Sequence, residues 1–206
     1  MQPFQTLTAV AAPLLRDNVD TDSIIPSREI KSVSKQGLAA GLFAGWRYRG
    51  AGERDPDPDF VLNQPRFSAA GILLAGDNFG CGSSREHAVW ALADQGFRAI
   101  IAPSFAPIFH DNCINNGVLA LCLPRATVAA LADAILTLQA DPHLTIDLDR
   151  QELSGVATGV IAFSIDAEVR LRLLEGLDAI DLSLRRLTDL DAFYERDRQE
   201  RPWVYL

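Results

Sequence analysis

Cysteine and histidine are both scarce in this chain, with three of each in 206 residues. Cys81, Cys113 and Cys122 are odd in number and lie 32 and 9 residues apart. Neither a disulfide framework nor a CxxC-type metal site fits that spacing. The thiols are expected to be free, as in a reducing compartment. The histidines form no HxxxH pair, and no metal site is expected on this chain. Long apolar runs are also missing: every rich stretch is cut by charge or proline short of the ~18 residues a membrane span needs. Met1 to Gln5 has no basic n-region and no apolar h-region, so no secretory leader is expected and the cytoplasm is the expected location. Positive charge is in deficit, 19 Lys and Arg against 27 Asp and Glu, for a net charge of −8. A nucleic-acid-binding module would show a basic footprint. An anionic small molecule stays open as a substrate, because the field of a site can be local.

What is present is ordinary for a globular protein, 48% hydrophobic and 22% charged, with no repeat and no low-complexity tract. At about 150 residues per domain the length predicts one domain over 1–206, and a chain of this size buries roughly 70% of its unfolded surface. Residues 5–15 are apolar and β-tolerant, and the polar run from Arg16 to Asp22 ends them. Residues 31–46 read as a loop with a short helix, and 50–59 as a surface excursion. Buried strands are predicted at Ile72–Ala75, Arg98–Ala102 and Val118–Leu123. Helices are predicted at Ser84–Gln95, Phe105–Asn115 and Ala126–Gln139. That alternation indicates an α/β core with parallel pairing. A β-hairpin is expected over 144–165, a short helix over Val169–Leu174 stopped by Gly176, and a charged helix over Asp189–Gln199, packed on the surface.

The informative stretch runs from Gly76 to His87, GDNFGCGSSREH, a glycine-rich loop between a strand and a helix. It lacks the lysine of a P-loop, the third glycine of a dinucleotide fingerprint and the second glycine of a hydrolase elbow. Ser83-Ser84-Arg85-Glu86 fits an S-x-x-E capping box, which is a purely structural reading. Against it stands a coincidence of features: Gly80 and Gly82 thin the backbone for close ligand approach, and two hydroxyls stand at a positive helix end. An arginine, the preferred bidentate partner of a carboxylate, lies in the first turn. A serine placed there loses its proton more readily than usual. His87 suggests a Ser–His pair, but a structural hydrogen bond is the simpler reading. Cys81 reads as a loop filler, Trp90 as core, and Trp46 to Arg49 as either a packed anchor or a partner-facing segment; His110-Asp111, which could suggest a metal pair, is not expected to be one.

NFGCGSSREHA, with DTDSIIPS upstream (Asp20 to Ser27) and IAPSFAPIF downstream (Ile101 to Phe109), resembles the swivelling domain of the aconitase superfamily. Within it, the chain is most similar to the small subunits of the isopropylmalate isomerases, from about Leu7 to Glu195. The resemblance implies an α/β fold, a β/β/α sandwich with a mixed sheet like the aconitase C-terminal domain. A substrate-specificity loop is expected at about 26–46 and a C-terminal helical tail at about 188–206. It also implies a large partner subunit that carries a [4Fe-4S] cluster, none being bound by this chain, and a small dicarboxylate substrate.

The same resemblance assigns roles. Ser83 matches the catalytic serine that removes a proton from carbon beside a carboxylate. Asp22 matches an active-site aspartate near that serine, its bland alternative being a turn or cap residue. Ser84 and Arg85 match substrate-binding residues, with Arg85 on a carboxylate. The expected reaction is dehydration and rehydration of a 2-alkylmalate, with isopropylmalate in leucine biosynthesis first. A citramalate, dimethylmalate or homoaconitate type is the alternative, and a non-catalytic carboxylate-binding domain a remote one. Arg28, in the loop after IIP where the family is more apolar, would suit a polar substituent on the substrate; otherwise it points to solvent or pairs with Glu29.

Overall fold

The computed structural model describes residues 1–31, 34–50, 54–138, 142–156 and 159–205. Residues 32–33 of the expected specificity loop, 51–53 of the excursion, 157–158 of the hairpin, and Gln139 at the expected helix end lie outside them.

In chain order, β1 (Thr6–Leu14) leads to the one-turn helix α1 (Thr21–Ile24) and, past two 3-10 turns, to α2 (Ala44–Arg47). Then come β2 (Ile72–Ala75), α3 (His87–Gln95), β3 (Ala99–Ala102), α4 (Pro107–Asn115), β4 (Leu119–Cys122) and α5 (Arg125–Thr137). The chain continues through β5 (His143–Asp147), β6 (Glu152–Gly155), β7 (Ile161–Ala162), α6 (Ala167–Glu175), α7 (Ala179–Leu184) and α8 (Leu187–Glu200).

One sheet results, with strand order β4-β3-β2-β1-β5-β6-β7. The nine-residue β1 belongs to two neighbourhoods. Its first half pairs antiparallel with β5, from Thr6 opposite Asp147 to Val10 opposite His143. Its second half pairs parallel with β2, from Ala11 opposite Ile72 to Leu14 opposite Ala75. On one side of that strand the pairing is all parallel, and on the other it is an antiparallel meander. The expected mixed sheet is therefore present, its parallel and antiparallel halves meeting along β1.

The parallel strands are short apolar runs because both of their faces are covered. Every residue of β2 and β3 is fully buried, and each Ile or Leu so removed from water contributes about 1.5–3 kcal/mol. Helix α5 buries Val128, Leu131, Ala132 and Ile135, an i, i+3, i+4, i+7 stripe, and crosses β1, β2 and β3. Helix α4 begins at Pro107, not Phe105; proline suits the first turn, where its missing N–H has no partner to lose. Gly176 ends α6 in the left-handed conformation, as expected.

The C-terminal region differs from its sequence reading. Helix α7 was not foreseen, although Asp178 and Asp181 form a reciprocal capping box there, a signature visible in the sequence as D-x-x-D. Helix α8 does not bury an apolar face against the body: its buried residue is Asp197. That carboxylate is covered from within the tail by Arg201 at 2.6 Å and Tyr205 at 2.7 Å.

The strand order positions the site. Loops leave the carboxyl ends of β1, β2, β3 and β4 along one edge, the edge where open α/β sheets bind ligands.

Candidate active site

The loops at that edge are stitched into an extension of the sheet. Beyond β1 and β2, Gly80 N–H donates to Val19 O at 2.7 Å and Thr21 N–H to Cys81 O at 2.9 Å. On the other side, Phe79 N–H donates to Ser104 O at 3.1 Å and Ala106 N–H to Phe79 O at 3.0 Å. The Phe79–Cys81 segment is thus held between the loops after β1 and β3. Polar side chains fix the outer rim: Ser104 Oγ donates to Asp77 Oδ1 at 2.9 Å and accepts from Asn78 N–H at 2.8 Å. Arg125, the first residue of α5, ties Asp77 to Asp17. The Asp77 backbone N–H, and then Arg125, hold the Asp17 carboxyl below its ordinary range.

On this platform Asp20 caps α1, its Oδ1 accepting from Ser23 N–H at 2.6 Å. Asp22 is free of that duty and pairs with Arg85, whose Nη1 reaches Asp22 Oδ1. The same Nη1 donates to Ile25 O at 3.2 Å. Among the described residues no acceptor engages Nε or Nη2 of Arg85, which leaves one edge of the fork for a ligand. The Arg85 guanidinium holds the Asp22 carboxyl below its usual range, so Asp22 is ionised at neutral pH. Ser83 and Ser84 are exposed. Ser83 Oγ lies 2.9 Å from Thr21 Oγ1. The structure therefore brings Ser83, Ser84, Arg85 and Asp22 to one open surface.

Arg28 lies on the neighbouring wall. An open concavity of about 440 Å³ is lined by Asp20, Asp22, Ser27, Arg28 and Trp46 among others. Arg28 is half exposed and 3.6 Å from Glu29, whose carboxylate Arg54 also binds, at 2.6 Å. Trp46 is an anchor: it stacks on Phe43 at 5.7 Å and carries the Arg16 guanidinium 4.5 Å above its ring. His87 sits against Trp90, ring centroids 4.6 Å apart, and among the described residues it has no bond to Ser83. Trp90 is half-buried rather than core.

Helix α3 begins at His87, and no side chain caps it, so Ser83 to Glu86 form no capping box. Glu86 is drawn elsewhere, accepting from Trp90 Nε1 at 3.2 Å and Asn116 Nδ2 at 2.8 Å. Ser83 thus stands at a bend in the segment leading into α3, not in its first turn. The two loop glycines have a packing reason of their own. A Cβ on Gly80 would lie 2.0 Å from the Phe109 ring, and one on Gly82 3.3 Å from Asp20 Cβ. Both residues have positive φ, 78° and 87°, which favours glycine. Their duty is to pack and turn the loop. Thr21 escaped the sequence reading: it is buried at 2% exposure and touches Ser83, and its only signal was its place between the acids of DTD.

The donor set of this chain does not suit a four-iron cluster, which wants convergent thiolates. Cys113 is buried inside α4, Cys81 lies in the site loop and Cys122 ends β4. Among the described residues no three His, Cys, Asp or Glu side chains converge on a metal-sized site.

Residues 1–126 match the model of the aconitase C-terminal domain family. A 3-isopropylmalate dehydratase small subunit from Cupriavidus necator is 56% identical over 205 residues, covering 100% of this chain and 99% of its own. One from Dinoroseobacter shibae is 47% identical, covering 99% of this chain and 100% of its own. The crystal structure of a 3-isopropylmalate dehydratase chain from Methanocaldococcus jannaschii superposes with a TM-score of 0.63 at 27% identity, covering 91% of this chain and 99% of that one. With a site of this composition on a sheet of this order, and relatives that match from end to end, the chain belongs to the 3-isopropylmalate dehydratase small-subunit family of aconitase C-terminal-type domains.

Proposed function

We propose that this chain is the small subunit of a hydro-lyase that interconverts 2- and 3-isopropylmalate by dehydration and rehydration, as in leucine biosynthesis. It works against a large subunit. The full-length similarity to dehydratase small subunits supports the reaction class. The observation that carries the partner is the open site: Ser83 and Ser84 are exposed at the carboxyl edge, so a second wall is needed to exclude water from a dicarboxylate.

A four-iron cluster on the large subunit supplies the Lewis acid for the leaving hydroxyl when bound. The rest of the chemistry falls to residues of this chain. Arg85 takes a substrate carboxylate on its open Nε/Nη2 edge while Asp22, bonded to Nη1, keeps the guanidinium plane oriented. Charge that develops on the carboxylate as the adjacent carbon loses its proton is stabilised by that fixed guanidinium. Ser83 Oγ is the group that takes the proton, and Ser84 adds a hydroxyl to the same carboxylate. Arg28, half exposed on the adjoining wall and drawn toward Glu29, faces the side of the substrate that carries its substituent.

Reconstitution with the large subunit and iron tests this, comparing kcat/KM for 3-isopropylmalate, citramalate and homoaconitate. The expected order puts 3-isopropylmalate first by at least tenfold, and a reversed order replaces it with another alkylmalate. Ser83→Ala is expected to keep subunit association and lose turnover; more than a tenth of the original kcat would remove Ser83 as the base.

A further inference from the structure

The Thr21 hydroxyl has two partners on one residue. Its Oγ1 lies 3.1 Å from the Ser83 carbonyl oxygen and 2.9 Å from Ser83 Oγ. A threonine hydroxyl carries a single hydrogen, so it donates to one of them at a time. The carbonyl can only accept. While Ser83 is a neutral hydroxyl, both contacts are satisfied in one way: Thr21 donates to Ser83 O, and Ser83 donates its own hydrogen to Thr21 Oγ1. That arrangement turns the Ser83 proton toward the protein and its lone pairs toward the open face.

Ser83 becomes an alkoxide when, in the hydration half of the cycle, it delivers its proton to the substrate carbon, and this changes the pattern. An alkoxide has nothing to donate and accepts strongly, since hydrogen bonds to a charged oxygen are about twice as strong as neutral ones. Rotation about one bond, Cβ–Oγ1, then moves the Thr21 hydrogen from the Ser83 carbonyl to the Ser83 alkoxide. Thr21 itself does not move: it is 2% exposed, and its own N–H is fixed on Cys81 O at 2.9 Å. No water needs to enter for the switch to occur.

We propose that Thr21 is the positioning residue of the proton-transferring serine, a single-hydrogen switch that orients the neutral Ser83 hydroxyl and stabilises its alkoxide. When the alkoxide takes the carbon-bound proton of the substrate, the C–H bond breaks, its electron pair stays on the substrate, and a new O–H forms on Ser83. The Thr21 hydrogen returns to the Ser83 carbonyl. The reverse sequence delivers the proton back to carbon in the hydration half of the cycle. Thr21 touches no reacting atom; it acts through Ser83. The inference rests on Ser83 being the base, as proposed above.

The test uses the reconstituted two-subunit enzyme with Thr21→Val, which keeps the branched shape and removes the hydroxyl, and Thr21→Ser, which keeps the hydroxyl. Thr21→Val is expected to lower kcat at least tenfold, with KM within twofold. It is also expected to enlarge the kinetic isotope effect for substrate deuterated at the carbon that loses its proton, because proton removal becomes more rate-limiting. Thr21→Ser is expected to restore at least a third of kcat and the original isotope effect, which a loss of packing would not allow. An unchanged kcat in folded Thr21→Val, judged by circular dichroism, overturns the proposal. So does a Thr21→Ser enzyme as slow as Thr21→Val. Ser83→Ala, run in parallel, separates the two readings: if it is inactive while Thr21→Val is fully active, only the switch fails, and if it is active the assignment of the base fails.

Discussion

Gly80 and Phe109 occupy the same space but for one methyl group. A Cβ built on Gly80 would lie 2.0 Å from the ring of Phe109, and that ring is fixed edge-on against Phe79 at 5.5 Å and stacked with Phe105 at 6.4 Å. The glycine three residues before Ser83 therefore joins the site loop to an aromatic cluster made by the start of α4.

Gly80→Ala must fail on two counts, the clash and the positive φ of 78°. Overpacking of this kind costs about 1–3 kcal/mol, and the left-handed backbone adds roughly 1–2 kcal/mol. Urea denaturation is expected to report a loss in the range of about 2–5 kcal/mol. Pairing the change with Phe109→Leu, which shortens the ring, is expected to recover part of the loss. Strict additivity in the double mutant would mean that the two residues do not compete for this space.

Thiol reactivity provides an independent check of the core. Cys113 is fully buried in α4, and that burial pushes its thiol well above the ordinary range. At pH 8 the native protein is expected to titrate with at most two equivalents of Ellman's reagent, and with three in denaturant. Three rapid equivalents from the folded protein would contradict the packing of α4.

Much of the fold could be read from local sequence, because local physics decides it. Ile72–Ala75 and Ala99–Ala102 are short apolar runs between helical patterns, and such runs have few fates other than buried parallel strands. Gly176 stops α6 because its φ is positive. What escaped depended on distant partners. The division of β1 rests on β5, with Thr8 and Thr145 Oγ1 atoms 2.8 Å apart across 137 residues. The capping box at Ser83 to Glu86 had the right spelling, yet Asn116 and Trp90 claim Glu86. Of the site, the residue types and their loop were legible. The pairing of Asp22 with Arg85, and of Thr21 with Ser83, required segments about sixty residues apart to meet.

The tail is expected to be dispensable for folding of the body. Past α6, Ile180, Leu184, Leu187, Phe193 and Trp203 are all exposed, and Asp197 is the buried residue. Deleting residues 179–206 removes little apolar burial, so the stability change is expected to stay below about 1 kcal/mol. For a domain of this size that corresponds to a Tm shift of about 2–4 °C or less. A drop of 10 °C in a thermal scan would show that the tail supports the sheet.

The Asp22–Arg85 pair gives the sharpest prediction about the site. Because Arg85 lowers the Asp22 carboxyl in the folded protein, the pair's contribution is fully present above the ordinary carboxylate range. It is lost as pH falls through the lowered value. Asp22 is about 62% exposed, so solvent screens the pair and its effect on global stability is small. The measurable quantity is the titration itself. In Arg85→Gln, carboxyl-carbon NMR is expected to show the Asp22 midpoint moving up toward its ordinary value of 3.8. Arg85→Lys keeps the charge but loses the planar fork, so Asp22 stays low while kcat/KM of the reconstituted enzyme falls by about 10–100-fold. An Asp22 midpoint that ignores Arg85→Gln would break the pair, and an Arg85→Lys enzyme with full kcat/KM would reduce Arg85 to a point charge.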